Sequence, residues 1–218
     1  MQTVAIIDYG SGNLRSVAKA FERMAIETGL SLNVKVTSDS SIVSKADRLV
    51  LPGVGAFADC YKSVMASPGL REALHVAVIE KTRPFLGICV GMQLMATSSY
   101  EHSITPGFNW ITGNVVAIKT TGTNLKIPHM GWNELKIVSN DHPVCNGLQN
   151  GTIVPHVYFV HSYHLTGADS QNVIATTEYG NEIVAVIGRD NMVGTQFHPE
   201  KSQAAGLRLI SNFLAWSP

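Results

Sequence analysis

Hydrophobic positions follow two different patterns along the chain. Up to Gln93, short apolar runs alternate with segments of helical spacing. Val4 to Ile7 is a continuous apolar run that meets Asp8-Tyr9-Gly10-Ser11-Gly12-Asn13, which predicts a buried strand entering a loop. From Leu14 the apolar residues fall at Leu14, Val17, Ala18, Phe21, Met24 and Ala25, the spacing of one helix face, with Asn13 placed to cap it. Asn33–Val36 predicts a second strand and Arg48–Leu51 a third, with Gly29 and the Ser38 to Ser41 cluster marking the breaks. Helices are predicted from about Ala56 to Ala66 and from about Leu70 to Lys81, before a buried strand at Pro84-Phe85-Leu86. Strands alternating with helices through short links imply parallel neighbours with helices on the sheet faces.

Beyond Gln93 short strand segments dominate: Val115–Ile118, Glu134–Ile137, Tyr158–Val160, Val173–Thr176 and Ile183–Val186, divided by Pro, Gly and Asn turns. This half is expected to complete the sheet and lay antiparallel strands over it. Met192–Phe197 predicts one more strand, ending at His198-Pro199-Glu200, and a last helix sets Leu207, Ile210, Phe213 and Leu214 on one face. No repeat or linker interrupts the pattern. The expectation is one α/β domain over residues 1–218: an open, mostly parallel central sheet with flanking helices, plus antiparallel strands in the C-terminal half.

Composition narrows the function. Lys+Arg and Asp+Glu are both 16, so no basic stripe announces nucleic acid. Cys60, Cys89 and Cys145 are an odd set without CxxC spacing, which argues against a disulfide framework or a thiolate zinc site and for a reducing compartment. The N-terminus lacks a basic n-region, and no apolar stretch approaches the roughly 18 residues of a membrane span. A cytoplasmic location is expected. His161 and His164 stand three apart with no nearby carboxylate or thiol, so no metal site is assigned. Neither a Walker loop nor Gly-x-Gly-x-x-Gly occurs, and no cofactor is expected.

The chemistry concentrates in two places. Phe85 to Gln93 reads strand, then Gly87-x-Cys89-x-Gly91, then a helix start: the context of a nucleophile elbow with a thiol at its tip. The glycines admit a turn too tight for a Cβ on either side, and free N–H groups of the following helix favour a thiolate. A nucleophilic Cys needs a base, and the base needs a group to orient it. His198 follows a strand, as Cys89 does, and Glu200 stands two residues on, where an extended segment projects to the same side. Pro199 biases His198 away from the helical region. Pro52-Gly53-Val54-Gly55 ends the third strand, where open α/β sheets bind ligands.

Gly87 to Gln93 and Gln-Phe-His-Pro-Glu-Lys-Ser (Gln196 to Ser202) together resemble the class I, triad-type glutamine amidotransferases. Asp8 to Ser16, Pro52 to Gly55, Pro128 to Asn133 and Tyr158 to Tyr163 narrow the resemblance to glutaminase subunits that serve imidazole glycerol phosphate synthesis in histidine biosynthesis. It spans nearly the whole chain.

The resemblance implies that Cys89 attacks the side-chain amide of glutamine, that His198 moves the protons, and that Glu200 orients it. Backbone N–H groups of Val54 and Val90 would form the oxyanion hole. Gln93, Glu101, Ser162 and Tyr163 would hold glutamine, with Gly53 and Gly55 close to it. The implied partner is a (β/α)8-barrel cyclase subunit that receives the ammonia in a heterodimer, with Trp132, Tyr158 and Lys201 at the interface. Glutaminase activity is expected to stay low until the partner's nucleotide binds, with the Val54 peptide rotating between Gly53 and Gly55. Three readings compete: another class I glutaminase, a free-standing γ-glutamyl hydrolase or cysteine peptidase, and a non-enzymatic binding subunit.

Overall fold

The computed structural model describes residues 1–120, 124–139, 142–149 and 154–218. Its first half is built as the periodicity predicts. Strand β1 (Gln2–Ile7) leads to helix α1 (Leu14–Glu27), then β2 (Leu32–Thr37), a single turn α2 (Ser40–Val43), and β3 (Arg48–Gly53). Helix α3 (Phe57–Ala66) and helix α4 (Leu70–Leu74) follow, the latter continuing as a π-helix over His75–Glu80 before β4 (Phe85–Cys89). All residues of β3 and β4 are buried, as expected of parallel strands covered on both faces. Asn13 stands at the start of α1 but its side chain makes no capping bond.

A one-turn helix α5 (Val90–Gln93) follows β4. The remaining strands are β5 (Ser98–Ser99), β6 (Thr105–Pro106), β7 (Asn114–Ala117), β8 (His129–Glu134), β9 (Lys136–Ile137), β10 (His156–His161), β11 (Tyr163–Thr166), β12 (Val173–Glu178), β13 (Glu182–Arg189) and β14 (Met192–Thr195). Helix α6 (Gln203–Ala215) closes the chain.

The main sheet has eight strands in the order β2-β1-β3-β4-β14-β13-β12-β9. Pairing is parallel from β2 to β14 and antiparallel from β14 to β9. Two smaller sheets, β10-β8 and β11-β7-β5-β6, carry the expected antiparallel pairings, apart from a short parallel one between β5 and β7. The predicted strand at 134–137 is displaced: β8 begins at His129, and the chain breaks at Leu135 before β9 joins the main sheet. Leu135 is fully buried and its N–H goes to the Pro155 carbonyl, which ends the ribbon there.

Helices α1 and α6 meet through an edge-to-face Phe21–Phe213 pair at 6.2 Å. Arg48 fixes the end of α6: its guanidinium donates to the Leu214 and Trp216 carbonyls at 2.9 Å each. None of the described helices is long and apolar enough to cross a membrane.

Candidate active site

The sharp corner at Cys89 is visible in its backbone, with φ +55° and ψ −110°. A non-glycine residue is held in such a conformation only where its surroundings dictate it, and such outliers cluster at functional sites. Those surroundings are the flanking glycines. A Cβ on Gly87 would come within 2.6 Å of the Gly91 carbonyl oxygen, and one on Gly91 would collide with the Leu51 carbonyl oxygen. The helix after the corner is a single turn, so its dipole adds little. What remains is the Val90 N–H, which lies in the first turn and has no intrahelical acceptor.

Strand β14 lies beside β4 in parallel register, Gly194 opposite Gly87 and Thr195 opposite Ile88. Both chains therefore leave the sheet at the same edge, which brings His198 to Cys89. The side chains of His198 and Glu200 are almost wholly shielded from solvent, and Nδ1 of the imidazole meets Glu200 Oε1 at 2.8 Å. The reason differs from the extended geometry expected. Pro199–Lys201 form a 3-10 turn, and His198 precedes it with φ −95° and ψ 99°. The turn folds the carboxylate back onto the ring, and Ser202 Oγ–H locks it by donating to the His198 carbonyl at 2.7 Å.

His198 Nε2 is buried and has no hydrogen-bond partner of ordinary geometry. Burial alone would depress this imidazole. The Cys89 sulfur and the Glu200 carboxylate outweigh that effect and raise it to about 10. Both neighbours therefore favour the protonated imidazole.

Cys89 and His198 open onto a cleft of about 330 Å³, within the range of small-molecule sites. Val54, Gly55, Val90, Gln93, Glu101, Ser162 and Tyr163 share its wall. Glu101 Oε2 accepts the Phe57 N–H at 2.7 Å, which anchors the carboxylate at the start of α3. Gln93 donates from Nε2 to the Tyr163 carbonyl and to Gln196 Oε1, both at 3.0 Å, so only its own carbonyl oxygen is left to face a ligand.

Several expected residues are placed differently. Gly53 does not reach the wall: it pairs with Cys89 across β3 and β4, and a Cβ there would sit 2.6 Å from the Tyr9 hydroxyl. The Val54 N–H is not free to receive an oxyanion, because it donates to Ser11 Oγ at 3.2 Å. Ser11 Oγ–H returns a bond to the Val54 carbonyl at 2.8 Å, and Cys60 Sγ lies 3.3 Å from that same oxygen. Trp132, Tyr158 and Lys201 gather outside the cleft. The two rings are edge to face at 6.0 Å, and the Lys201 ammonium lies 5.8 Å from the Tyr158 ring centre. Trp132 and its neighbour Met130 are exposed on β8.

Some groups were not anticipated. Gln196 and His129 are buried behind the cleft, His161 lines it, and the half-buried Ser11 holds Val54. Gln196 and Ser11 act through partners 103 and 43 positions away, and the two imidazoles meet across 32, so local pattern gave no signal for these contacts.

The glutamine amidotransferase class-I family model matches residues 5–216. Imidazole glycerol phosphate synthase subunit HisH of Brucella abortus is 54% identical over 215 residues, covering 99% of each chain. The protein of that name from Agrobacterium fabrum is 55% identical with the same coverage. Among solved structures, a glutamine amidotransferase superposes with a TM-score of 0.71 at 18% identity, covering 97% of both chains. PurLQS from Thermotoga maritima gives 0.70 at 17%, covering 98% of both. At that identity the structures speak for the fold alone. With a family model spanning almost every residue and relatives matched end to end, the chain belongs to the class-I glutamine amidotransferase family.

Proposed function

We propose that this glutamine amidotransferase hydrolyses glutamine through a Cys89–His198–Glu200 triad and delivers the ammonia to a cyclase subunit in histidine biosynthesis. The observation that carries the reading is the shielded His198–Glu200 pair set beside Cys89 at the floor of a cleft of small-ligand size.

The Cys89 thiolate attacks the side-chain carboxamide carbon of glutamine, forming a tetrahedral oxyanion. His198 then gives its Nε2 proton to the departing nitrogen, and a thioester remains with ammonia released. The imidazole, now neutral, takes a proton from water, whose oxygen attacks the thioester carbon. Collapse yields glutamate and restores the thiolate–imidazolium pair. Glu200 holds the Nδ1 tautomer throughout. Glu101 complements the substrate's ammonium, with Gln93, Ser162 and Tyr163 completing its seat.

The oxyanion needs donors already aimed at it. Val90 supplies one. The Val54 N–H becomes the second only after leaving Ser11, and Gly55, at φ +93°, gives the rotation of that peptide its freedom. The chain alone is therefore a weak glutaminase. The exposed Trp132 and Met130, with Tyr158 and Lys201, form the face toward the partner. Relatives bearing the name of a synthase subunit support this pairing.

The test is glutamine hydrolysis by the isolated chain, and by its complex with the (β/α)8-barrel cyclase, with and without the cyclase's nucleotide substrate. Strong turnover is expected only in the liganded complex. Equal turnover by the isolated chain would reject the coupled reading, and no turnover in any state would reject the glutaminase.

A further inference from the structure

A run of hydrogen bonds leads from the half-buried Asn133 to the buried Gln196, whose side chain touches the Cys89 sulfur. Gln196 is fully buried, and its side-chain Nε2 lies 3.8 Å from Cys89 Sγ. Its orientation is fixed, because Gln93 Nε2 donates to Gln196 Oε1 at 3.0 Å, leaving the amide hydrogens toward the sulfur. Gln93 also donates to the Tyr163 carbonyl.

That carbonyl determines everything further back. It accepts from His161 Nδ1 at 2.9 Å, and an oxygen of this kind can only accept. His161 therefore carries its proton on Nδ1, and its Nε2 accepts from His129 Nδ1 at 3.0 Å. His129 Nε2 in turn accepts from Asn133 Nδ2 at 3.2 Å. The Asn133 amide is itself set: Nδ2 also donates to the Glu178 carbonyl at 2.9 Å, while Oδ1 accepts the Glu134 N–H at 2.8 Å. One assignment of tautomers and amides satisfies the whole run, with both imidazoles neutral. Reversing Gln196 would set two amide N–H donors against each other at Gln93 and a carbonyl lone pair against the sulfur.

We propose that Gln196 is a further catalytic group, whose side-chain N–H donates to the Cys89 sulfur and stabilises the thiolate, held in the donating orientation by Gln93, whose own amide is set by the Tyr163 carbonyl. A hydrogen bond to an ionised acceptor is worth more than one to the neutral thiol, so the donor favours the reactive form. The ionisable groups near the sulfur are His198, Cys60 and Tyr9, with Glu101 across the cleft. Burial raises Cys60 and Tyr9, which keeps both neutral. Gln196 thus adds to His198 a donor that does not itself titrate.

This inference rests on Cys89 being the nucleophile, so the experiment reads the sulfur and not the hydrolysis. Alkylation of the full chain by iodoacetamide is followed against pH, with peptide mass spectrometry separating Cys89 from Cys60 and Cys145. Gln196→Leu is expected to slow Cys89 alkylation near neutral pH about tenfold, the weight of one charge-assisted bond. At the alkaline limit, where the sulfur is ionised regardless, the variant should match the native rate. Gln196→Glu, which keeps the shape and replaces the donor by an oxygen, should slow the neutral-pH rate at least as much, and it decides the matter if the Leu variant does not fold. Native rates near neutral pH in a folded variant overturn the proposal, and so does an equal loss at every pH, which is the mark of altered packing. A native chain that shows the expected alkylation profile yet never hydrolyses glutamine with its partner would reject the proposed function and leave this inference standing.

Discussion

The contact between Ser11 and the Val54 peptide gives the sharpest quantitative test of the switch. In the described conformation the Ser11 hydroxyl accepts the Val54 N–H at 3.2 Å and donates to the Val54 carbonyl at 2.8 Å. Both bonds are partly open to water, so each is worth about 0.5–1.5 kcal/mol net. Ser11→Ala removes both and leaves only the weaker Cys60 thiol at the Val54 carbonyl, 3.3 Å away. The held orientation then loses about 1–3 kcal/mol against the rotated one, a population shift of roughly 5- to 150-fold toward the competent state. Glutamate release by the isolated Ser11→Ala chain should rise within that range, bounded above by the rate of the liganded complex. In the liganded complex, where the proposed rotation has already broken the contact, the substitution should change turnover little. Ser11→Thr, which keeps a hydroxyl, should behave like the native chain. An isolated Ser11→Ala chain that melts normally yet hydrolyses glutamine no faster than the native one would refute the reasoning, because the Val54 peptide would then be held by something else.

Two further outcomes follow from the same geometry. Cys89→Ala should abolish glutamine-dependent synthesis by the complex while leaving synthesis from ammonium salts intact; failure with ammonia as well would show that Cys89 serves something other than amide hydrolysis. Acid should weaken the fold, because burial holds His129 and His161 down at about 4 and about 3. The unfolded chain takes up these protons from about pH 6.5, so the stability is whole above that value. It is lost as pH falls toward the folded values, at up to about 2.7 kcal/mol per pH unit for the pair. Urea unfolding between neutral pH and about pH 5 measures the slope. His129→Phe, which can keep the stacking on Phe159 and Tyr179, should flatten it, and an unchanged slope in that variant would rule out this origin.

The parallel half of the sheet was legible because its strands are buried on both faces and read as unbroken apolar runs, as in Val4–Ile7 and Leu49–Leu51. The corner at Cys89 was legible because its two glycines are a local steric demand. His198 and Glu200 were paired correctly on a mistaken geometry: the rule of alternate residues on one side belongs to strands, whereas a 3-10 turn joins them here. The displaced strand at His129–Glu134 has another cause. Its burial alternates weakly, with Met130 and Trp132 exposed, so its apolar pattern does not stand out from a loop. Ser11 on Val54 and Gln93 on Gln196 join residues 43 and 103 positions apart, beyond the reach of any local period.

Cys89 ends one interior strand and His198 follows the end of the next, which has a consequence for how the enzyme wears out. Neither strand lies at an edge, so their spacing survives any fraying short of wholesale collapse. Ser162 and Tyr163 instead join two outlying ribbons that can loosen on their own. Under mild heat or denaturant the protein should first lose its grip on glutamine and only later the reactivity of its sulfur. A partly damaged molecule would then be a dull catalyst still open to covalent poisons.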